Sequence, residues 1–483
     1  MKLVKLLTGL KPIILAADPD TDIMGISYDS RKTQPGDLFV AIRGYETDGH
    51  RYIAKALEKG ASVILCAEKP SVDCAYVLVS DSRLALALVS AEFFEHPASG
   101  MQMIGITGTS GKTTVSTLLK HVLEEAGGKK VGLIGTNGIW IDQEELHTEH
   151  TTPESFELQK LFREMADAGC SHVVMEVSSH ALALDRVAGL QFDTVLFTNL
   201  SQDHLDFHGS MEQYAAAKKK IFHQAKFGYV NRDDAWATFM MTGEDCQILT
   251  YGLTDSADLQ ALNPEYLSDR VCFELQYDGK LTPVELRIPG IFSVYNALSV
   301  MALALSAGIE AKAAADALRT AAGVRGRLEA LPTDGEYQIY VDYSHKPDAL
   351  EKVLRSLRTA TKAKLICVFG CGGDRDRLKR PLMGKIATAL ADYVIITSDN
   401  PRTEDPESIL DEIEAGITEN NYSRICDRKE AIHRAIDMAE PGDVILLAGK
   451  GHEDYQVIGH EKRHMDEHEL VAEYFNLRKT EKT

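Results

Sequence analysis

A buried strand that runs into a glycine-rich loop and then a helix is the feature of this 483-residue chain that most constrains its fold. The apolar segment Met101–Thr107 leads into Gly108-Thr109-Ser110-Gly111-Lys112-Thr113-Thr114. Backbone N–H groups at the start of a helix form a cradle for an anion, a lysine there reaches terminal phosphates, and the following hydroxyl can hold Mg²⁺. The segment therefore predicts a nucleotide phosphate loop.

The region around this loop alternates between strand and helix patterns. Strand-like runs follow at 172–177, 193–198 and 228–231, which is typical of a doubly wound parallel sheet. Residues 271–290 alternate apolar and polar side chains around Asp278-Gly279, which predicts a β-hairpin with a type I′ turn appended to that sheet. Helices are predicted over 295–307 and 311–322.

The two ends of the chain predict further α/β domains. Residues 1–98 mix short strands and helices and end in a breaker-rich segment at 96–100. From 331 a second α/β unit has predicted strands near 338–342, 364–369, 393–397 and 444–448 and helices near 347–357 and 406–417. We predict an α/β protein of three domains at 1–98, 99–330 and 331–483, with a Rossmann-like third domain, in line with roughly 150 residues per domain.

The composition argues against several classes of protein. A net charge of −20 disfavours a general affinity for nucleic acid or anionic membranes. No apolar run approaches the ~18 residues of a membrane span, and the N-terminal segment has no credible cleavage site. The eight cysteines are scattered without a C-x-x-C pair. We therefore expect a cytoplasmic protein with no nucleic-acid partner and no membrane insertion.

Lys218 is a lysine with an unusual setting. A predicted helix over 214–222 places it on the same face as the apolar residues Tyr214, Ile221 and Phe222, whereas Lys219 and Lys220 lie elsewhere. The run of three lysines is otherwise typical of a solvated helix face. If Lys218 is buried, its pKa falls, and the neutral amine can react with CO₂.

The phosphate loop also carries a family resemblance. The general phosphate-loop pattern requires glycine at position 106, where this chain has Ile106, and the shorter form found here resembles the ATP site of the Mur ligase superfamily. In that family ATP phosphorylates a carboxylate, and an amine then attacks the acyl phosphate. The resemblance implies catalytic roles for Lys112, Glu176, His204 and Lys218 and a Mg²⁺ site formed by Thr113, Glu176, His204 and Lys218 as a carbamate. It implies ATP contacts from the following residues: Gly108, Thr109, Ser110, Gly111, Lys112, Thr113, Thr114, Asn296 and Arg327.

The N-terminal region is similar to the uridine-nucleotide domain of muramoyl ligases, which folate-type members of the family lack. The similarity rests on residues 28–31, 35–41 and the loop Tyr45–Arg51. It implies that the UDP-sugar peptide is bound by Ser30, Thr151, Thr152, Ser178 and Arg186. A glutamine that some relatives have two residues before that arginine is Leu184 here.

Three polar segments follow predicted strands of the C-terminal domain, at 372–376, 399–402 and 449–453. Carboxyl ends of parallel strands meet at one edge of a sheet, so these loops should converge. Arg375 and Arg402 offer planar forks for carboxylates, and Glu453 can hold an ammonium. The resemblance implies that meso-diaminopimelate is bound by Arg375, Asp399, Asn400, Pro401, Arg402, Gly449 and Glu453. His345 matches a further family motif, in which Lys346 replaces the usual threonine.

Together with these features, the resemblance to the Mur ligases implies a monomeric ligase dependent on ATP and Mg²⁺ in cytoplasmic peptidoglycan synthesis. It would add meso-diaminopimelate to the D-Glu of UDP-N-acetylmuramoyl-L-Ala-D-Glu. The alternatives are the same reaction with L-lysine, a ligase that adds D-Ala-D-Ala, or a nucleotide-switched phosphate-loop protein without ligase activity. Phosphate release that requires both the UDP-sugar peptide and the amine would distinguish the enzymes from the binding protein.

Overall fold

The computed structural model describes residues 1–44, 47–148, 150–244 and 246–481, with side chains described up to residue 476. Tyr45 and Glu46, which begin the predicted uridine-side loop, lie outside the described residues. The chain divides into two compact units, Met1–Asp258 with Ala302–Ile309, and Leu259–Met301 with Glu310–Thr483. No helix in the described ranges is long and apolar enough to cross a membrane.

The N-terminal part of the first unit is a five-stranded sheet in the order β1-β5-β4-β3-β2. Strands β2 to β5 are parallel, and β1 runs antiparallel at one edge. The strands are β1 Ile14–Ala16, β2 Gly25–Ser27, β3 Asp37–Ala41, β4 Val63–Cys66 and β5 Tyr76–Leu78, and the helices are α1 Leu3–Leu6, α2 Ile53–Glu58 and α3 Ser82–Phe93.

The larger sheet of the first unit has the order β13-β12-β11-β6-β10-β7-β8-β9 within that unit. Strands from β13 to β7 are parallel, which confirms the predicted doubly wound sheet, and β8 and β9 pair antiparallel. The strands are β6 Gln102–Thr107, β7 Val131–Gly135, β8 Gly138–Ile141, β9 Glu144–Leu146, β10 His172–Glu176, β11 Phe192–Phe197, β12 Ala225–Asn231 and β13 Gln247–Gly252, and the helices are α4 Lys112–Glu125, α5 Ser155–Asp167, α6 Ser179–Ala183, α7 Leu205–His208, α8 Met211–Lys219 and α9 Ala237–Met241.

The position of β6 in this sheet determines where a ligand can bind. Its neighbours are β10 on one side and β11 on the other, so the strand order changes direction at β6. In open parallel sheets, ligands bind in the crevice outside the carboxyl ends of the strands at such a point. The loop after β6 and the residues that end β10 and β11 therefore form the expected site.

The second unit begins with an antiparallel sheet of three strands, β14 Leu259–Tyr266, β15 Val271–Tyr277 and β16 Lys280–Leu286. Tyr277 pairs with Lys280, and Asp278 and Gly279 have φ angles of 50° and 70°, which confirms the predicted type I′ hairpin. Strand β14 was not predicted. Its register shifts between Leu262 and Glu265, where Asn263-Pro264 interrupts the alternation on which the prediction relied.

The C-terminal sheet has the order β17-β18-β22-β19-β20-β21, parallel except for β17. All four predicted strands are present. Two of them have the predicted bounds, and the other two are one residue shorter than predicted. The predicted helices have different ends in the structure: the helix predicted over 406–417 ends at Glu414, and beyond it Gly416 lies so close to the Pro381 carbonyl that a Cβ would be 1.9 Å away. The strands of this sheet are β17 Glu329–Leu331, β18 Gln338–Asp342, β19 Leu365–Phe369, β20 Tyr393–Ile396, β21 Tyr422–Arg424 and β22 Val444–Ala448. A separate antiparallel pair is formed by β23 Tyr455–Ile458 and β24 Glu461–His464. The remaining helices are α10 Ile291–Ser306, α11 Ala311–Thr320, α12 Pro347–Ala360, α13 Lys379–Leu390, α14 Pro406–Glu414, α15 Arg428–Met438 and α16 Glu467–Glu481.

Candidate active site

The loop between β6 and α4 has a backbone that only glycine can adopt at its first position. Gly108 has a φ of 146°, and a Cβ there would lie 1.9 Å from Thr198 Oγ1. The residues that end β11 brace the loop, because Thr198 Oγ1 donates to the Ser110 carbonyl at 2.7 Å and Asn199 Oδ1 accepts from Ser110 N at 3.0 Å. Sequence reasoning missed Asn199, although a polar residue at the end of a predicted neighbouring strand was a usable signal.

Lys218 is buried beneath this loop. Its side chain is 1% exposed, Nζ donates to the Gly108 carbonyl at 2.8 Å, and Nζ lies 4.6 Å from the centre of the Tyr214 ring. Tyr214 in turn shares a hydrogen bond of 3.1 Å with Thr109 Oγ1. Burial, and after it the charge of Lys112, hold the pKa of Lys218 well below its usual value of 10.5. The predicted burial of Lys218 is confirmed.

The helix that carries Lys218 is shorter than predicted. It ends at Lys219, and Lys220–Gln224 form a 3₁₀ helix, so the apolar residues Ile221 and Phe222 reach the core from a tighter turn. Lys219 is half-buried and Lys220 is exposed. The single buried lysine of the run is therefore the one that the apolar stripe selected.

Glu176, at the end of β10, is a buried carboxylate held by three hydroxyl and amide donors. Thr113 Oγ1 donates to Glu176 Oε2 at 3.1 Å, as does Thr136 Oγ1, and Thr136 N donates to Oε1 at 2.8 Å. Gly135 allows this approach, since a Cβ there would lie 2.4 Å from Glu176 Oε1. The structure thus brings together the Thr113 hydroxyl and the Glu176 carboxylate, which are oxygen ligands of the type that Mg²⁺ prefers.

His204 lies at a different place around the same loop. It has a left-handed backbone with a φ of 51°, and its half-exposed ring packs edge-on against His180 at 4.7 Å and lies 6.3 Å from the Tyr214 ring. Its Nε2 is 3.4 Å from Asp203 Oδ2. His204 and Lys218 therefore both contact Tyr214.

The donor set fits a Mg²⁺ ion held largely by phosphate oxygens. Across the described ranges, no group of three or more His, Cys, Asp and Glu side chains is arranged to hold a metal ion. Mg²⁺ on a nucleotide needs few protein ligands and prefers oxygen. Thr113 and Glu176 supply hydroxyl and carboxylate oxygens beside the loop, and a carbamate on Lys218 would add another.

The predicted contacts to a sugar peptide form one network next to Glu176. Thr152 Oγ1 donates to the Glu176 carbonyl at 2.8 Å and accepts from Ser178 N at 3.1 Å, and Arg186 Nη1 donates to the Thr152 carbonyl at 2.9 Å. Thr151 Oγ1 lies 2.9 Å from Thr136 Oγ1, which links it to the same carboxylate. Ser178 also caps α6 through Ala181 N at 3.1 Å.

Ser30 is buried in the loop after β2, on the segment 28–31. Tyr28 in that segment donates its hydroxyl to Glu157 Oε1 at 2.8 Å, in the first turn of α5. Burial raises the pKa of Glu157, although the Tyr28 hydroxyl opposes the rise. Helix α5 begins at Ser155, shortly after Thr151–Pro153, so this hydrogen bond ties the Ser30 segment to the segment that carries the sugar-peptide contacts.

The two remaining predicted nucleotide contacts belong to the second unit. Asn296 is buried on α10, and the Arg327 guanidinium lies 4.9 Å from the centre of the Tyr343 ring. Arg327 Nε is buried and has no hydrogen-bond acceptor in the part of the chain that the structure describes. Tyr343 also packs against His345 at 4.6 Å, and burial lowers the pKa of His345 to about 4.

The three C-terminal loops converge as predicted. Asn400, in the loop 399–402, bonds to both other loops. Its backbone carbonyl accepts from Gly373 N at 2.9 Å, and its Nδ2 donates to Glu453 Oε2 at 2.9 Å. Arg402 Nη1 donates to the Gly373 carbonyl at 2.8 Å. Gly449 has a φ of 117°, and a Cβ there would lie 3.6 Å from Asp399 Oδ2. Asn400, Arg402, Glu453, Gly449 and Asp399 are thus brought together.

Arg375 and Pro401 contribute differently to this group. Pro401 packs its carbonyl against Gly373, where a Cβ would lie 1.8 Å from the oxygen, so its part in the loop contact is made by the backbone. Arg375 is exposed and donates to the Asp374 carbonyl at 3.1 Å. The structure therefore leaves the Arg375 guanidinium at the surface of the loop.

Two buried cations that contact these loops were missed by sequence reasoning. Arg380 is fully buried, pairs with Glu404 and Glu412, and donates to the Gly372 carbonyl at 3.2 Å. Lys450 is also fully buried and contacts Asn400 and Glu453. Lys450 lies in the polar segment 449–453, but neither its burial nor that of Arg380, on α13, could be deduced from the local sequence.

Comparison with known proteins covers all parts of the chain. Residues 22–95 match the Mur ligase family catalytic domain, 106–304 the Mur ligase middle domain, and 326–451 the Mur ligase glutamate ligase domain. The UDP-N-acetylmuramoyl-L-alanyl-D-glutamate–2,6-diaminopimelate ligase 1 of Clostridium acetobutylicum is 46% identical over 98% of this chain and 99% of its own. The Bacillus licheniformis ligase of the same description is 42% identical over 98% of each chain. A solved structure of a ligase so described has a TM-score of 0.75 at 32% identity over 99% of both chains.

Proposed function

The chain belongs to the Mur ligase family, and we propose that it is an ATP-dependent ligase that joins 2,6-diaminopimelate to UDP-N-acetylmuramoyl-L-alanyl-D-glutamate in peptidoglycan synthesis. Similarity over 98% of the chain to relatives of that description carries this proposal. The convergence of Asn400, Arg402 and Glu453 supports it independently, because carboxylate and ammonium groups are what those side chains recognise.

We assign the substrates to three domains. Residues 1–98 would hold the UDP end, 99–330 would hold ATP and Mg²⁺, and 331–483 would hold the amine. The position of the phosphate loop at the change in strand order supports the second assignment, and the loops at the carboxyl ends of β19, β20 and β22 support the third. A monomeric cytoplasmic enzyme without a nucleic-acid partner stays a prediction of the sequence.

The first chemical step is phosphoryl transfer to the γ-carboxylate of D-glutamate. A carboxylate oxygen forms a bond to the γ-phosphorus while the bond from that phosphorus to ADP breaks. Lys112 would stabilise the charge on the transferring group, and the backbone N–H groups after Gly108 would orient the phosphates. Thr113, Glu176, His204 and the Lys218 carbamate would hold Mg²⁺, which supplies positive charge against the phosphate oxygens.

The second step forms the amide bond. The neutral amine nitrogen of diaminopimelate bonds to the acyl carbon, phosphate leaves with the electron pair of the C–O bond, and the nitrogen releases a proton. Arg402 and Asn400 would orient the distal end of the amine substrate, with Glu453 holding its ammonium. Selection of the meso isomer of diaminopimelate, and of diaminopimelate over lysine, would depend on these contacts.

The proposal is tested by measuring ADP and phosphate formation with each substrate omitted in turn. We expect turnover only when ATP, the UDP-sugar dipeptide and diaminopimelate are all present, and a product whose mass corresponds to amide formation. Lys112→Met should remove turnover, and Lys129→Met, which changes a lysine of the same domain away from the phosphate loop, should leave it intact. Nucleotide binding without amine-dependent phosphate release would instead favour the nucleotide-switched binding protein.

A further inference from the structure

Lys450 is a fully buried cation at the centre of the three C-terminal loops. Its Nζ donates to Asn400 Oδ1 at 3.0 Å, to Glu453 Oε2 at 2.9 Å and to the Tyr455 carbonyl. An ammonium has three N–H donors, so these contacts use all of them. Lys450 therefore links the loop after β22 to the loop after β20 and to the hairpin of β23 and β24.

These contacts fix which atoms of Asn400 and Glu453 face each other. Asn400 Oδ1 accepts from Lys450 and from Val457 N at 2.9 Å, which leaves Nδ2 to donate to Glu453 Oε2. Glu453 Oε2 is thus occupied by two donors. Its Oε1 has a 3.5 Å contact with the Tyr343 hydroxyl and takes no part in the bonds to Lys450 and Asn400.

Asp399 supplies a second carboxylate oxygen next to the same cation. Asp399 Oδ1 is 3.6 Å from Lys450 Nζ, and it has no hydrogen-bond donor among the described residues although it is buried. Asp399 as a whole is 5% exposed. A buried carboxylate oxygen without a donor is costly, so this atom is a site where an added ammonium would be stabilised.

Lys450 lies in a group of buried charged side chains. Asp399 and Glu453 surround Lys450, and the buried pair Arg428 and Glu467 lies beneath them, with Arg428 donating to the Ala448 carbonyl at 2.9 Å. Burial lowers the pKa of Arg428, but Glu467, Asp399 and Glu453 raise it above its usual value. Lys450 and Arg428 are thus grouped with the carboxylates of Asp399, Glu453 and Glu467, and the Asp399 and Glu453 oxygens that these cations leave without a hydrogen bond are where a substrate ammonium would be stabilised.

We propose that Lys450 is the positioning residue of the amine site: it ties up Glu453 Oε2 and Asn400 Oδ1, so that Glu453 Oε1 and Asp399 Oδ1 are held ready for the distal ammonium of the substrate. This role rests on the proposed ligase function and goes beyond it. Lys450 does not contact the substrate. Its loss should weaken amine binding without affecting the nucleotide or the UDP-sugar peptide.

The direct test is the steady-state kinetics of Lys450→Met, which removes the charge with little change in volume. We expect the KM for diaminopimelate to rise by about 10- to 100-fold, the range of a lost hydrogen bond to a charged group, with both other KM values within about two-fold. Lys462→Met is the matched control, because Lys462 is exposed on β24 with its Nζ 4.3 Å from the centre of the Tyr455 ring. It should leave all constants unchanged.

A second variant separates positioning from the balance of buried charge. Lys450→Met leaves one positive charge too few, and adding Glu467→Gln restores the total at a distance from the amine contacts. We expect the double variant to melt near the temperature of Glu467→Gln alone, yet to keep the raised KM for diaminopimelate. A KM that returns to the wild-type value would overturn the proposal. So would a double variant that does not fold although Glu467→Gln alone does, because Lys450 would then be a structural residue.

The outcomes for Lys450 and for the proposed function differ. A wild-type chain without diaminopimelate-dependent ADP formation would refute the function itself. An active Lys450→Met variant with an unchanged KM for diaminopimelate would refute only the positioning role.

Discussion

Lys112 and Lys218 donate to the same atom. Their ammonium nitrogens lie 2.9 Å and 2.8 Å from the Gly108 carbonyl oxygen, although Lys112 begins α4 and Lys218 lies in the last turn of α8, far along the chain. Two cations that share one acceptor disfavour each other, and Lys112 is one of the causes that lower the pKa of Lys218. Burial, and after it the charge of Lys112, thus lower the pKa of Lys218 and favour the neutral amine that can react with CO₂.

The first prediction concerns the carbamate. Lys218→Ala should lower kcat by at least about 100-fold, because the variant lacks a negative oxygen ligand beside the phosphate loop. Short carboxylic acids in excess should restore part of the rate by occupying the vacated space. The measurement is ADP formation with and without added acid. Lys219→Ala is the control and should stay near the wild-type rate. If Lys219→Ala loses activity and Lys218→Ala keeps it, then Lys219 is the modified residue.

The second prediction concerns the pH dependence of stability in CO₂-free buffer. The pKa of Lys218 is near 10.5 in the unfolded chain and well below that value in the folded chain. Between these two pKa values the unfolded state binds more protons, so the free energy of unfolding decreases as pH falls from 10.5. Lys218→Met removes the penalty. We expect its melting temperature to exceed that of the wild type at pH 7, by about 2 °C or more, with a gap that narrows as pH approaches 10.5. A gap that is constant with pH would contradict the lowered pKa.

The third prediction concerns the uridine side. Ser30→Ala should raise the KM for the UDP-sugar dipeptide by about 10-fold, the effect of losing one polar contact, and should leave the KM for ATP unchanged. The matched control is Ser80→Ala, because Ser80 is exposed in the same N-terminal region. Isothermal titration of the UDP-sugar dipeptide against both variants gives the comparison, and equal affinities would remove Ser30 from the site.

Much of this arrangement was predictable where the signal is local. The strand, loop and helix at 101–114 have a composition that few other structures use, and the apolar stripe beside Lys218 identified its burial even though the helix ended early. The turn at Asp278-Gly279 was predictable because both residues tolerate positive φ.

Contacts between segments distant in sequence were not predictable. Asn199 is hydrogen-bonded to Ser110, and Lys450 to Asn400. Each pair lies after two different strands, and the sequence does not reveal which strands are neighbours in the sheet. Strand β14 was missed because Asn263-Pro264 breaks its alternation. The exposed position of Arg375 depends on how its loop folds, which its residue type does not determine.

The choice of amine tests the account most directly. Lysine lacks one carboxylate of diaminopimelate, so selection requires a group that lysine leaves without a partner, and Arg402 is the residue that the loop geometry supports. Its backbone has a φ of 54° and is held on both sides by β23 and Gly459, at 3.0 Å from Arg402 N to the Val457 carbonyl and 2.7 Å from Gly459 N to the Arg402 carbonyl. The arginine is thus held in position before an amine arrives.

The deciding measurement is kcat/KM for diaminopimelate and for lysine in the wild type and in Arg402→Ala, with Arg463→Ala, an exposed arginine of β24, as the control. Sites built on such polar contacts discriminate by up to roughly 10⁴-fold. We predict that the wild type strongly prefers diaminopimelate. Arg402→Ala should lose most of the activity with diaminopimelate, and the ratio of its kcat/KM for diaminopimelate to that for lysine should fall. The KM for ATP should stay unchanged. A wild type that prefers lysine, or an Arg402→Ala variant with an unaltered ratio, would contradict this prediction.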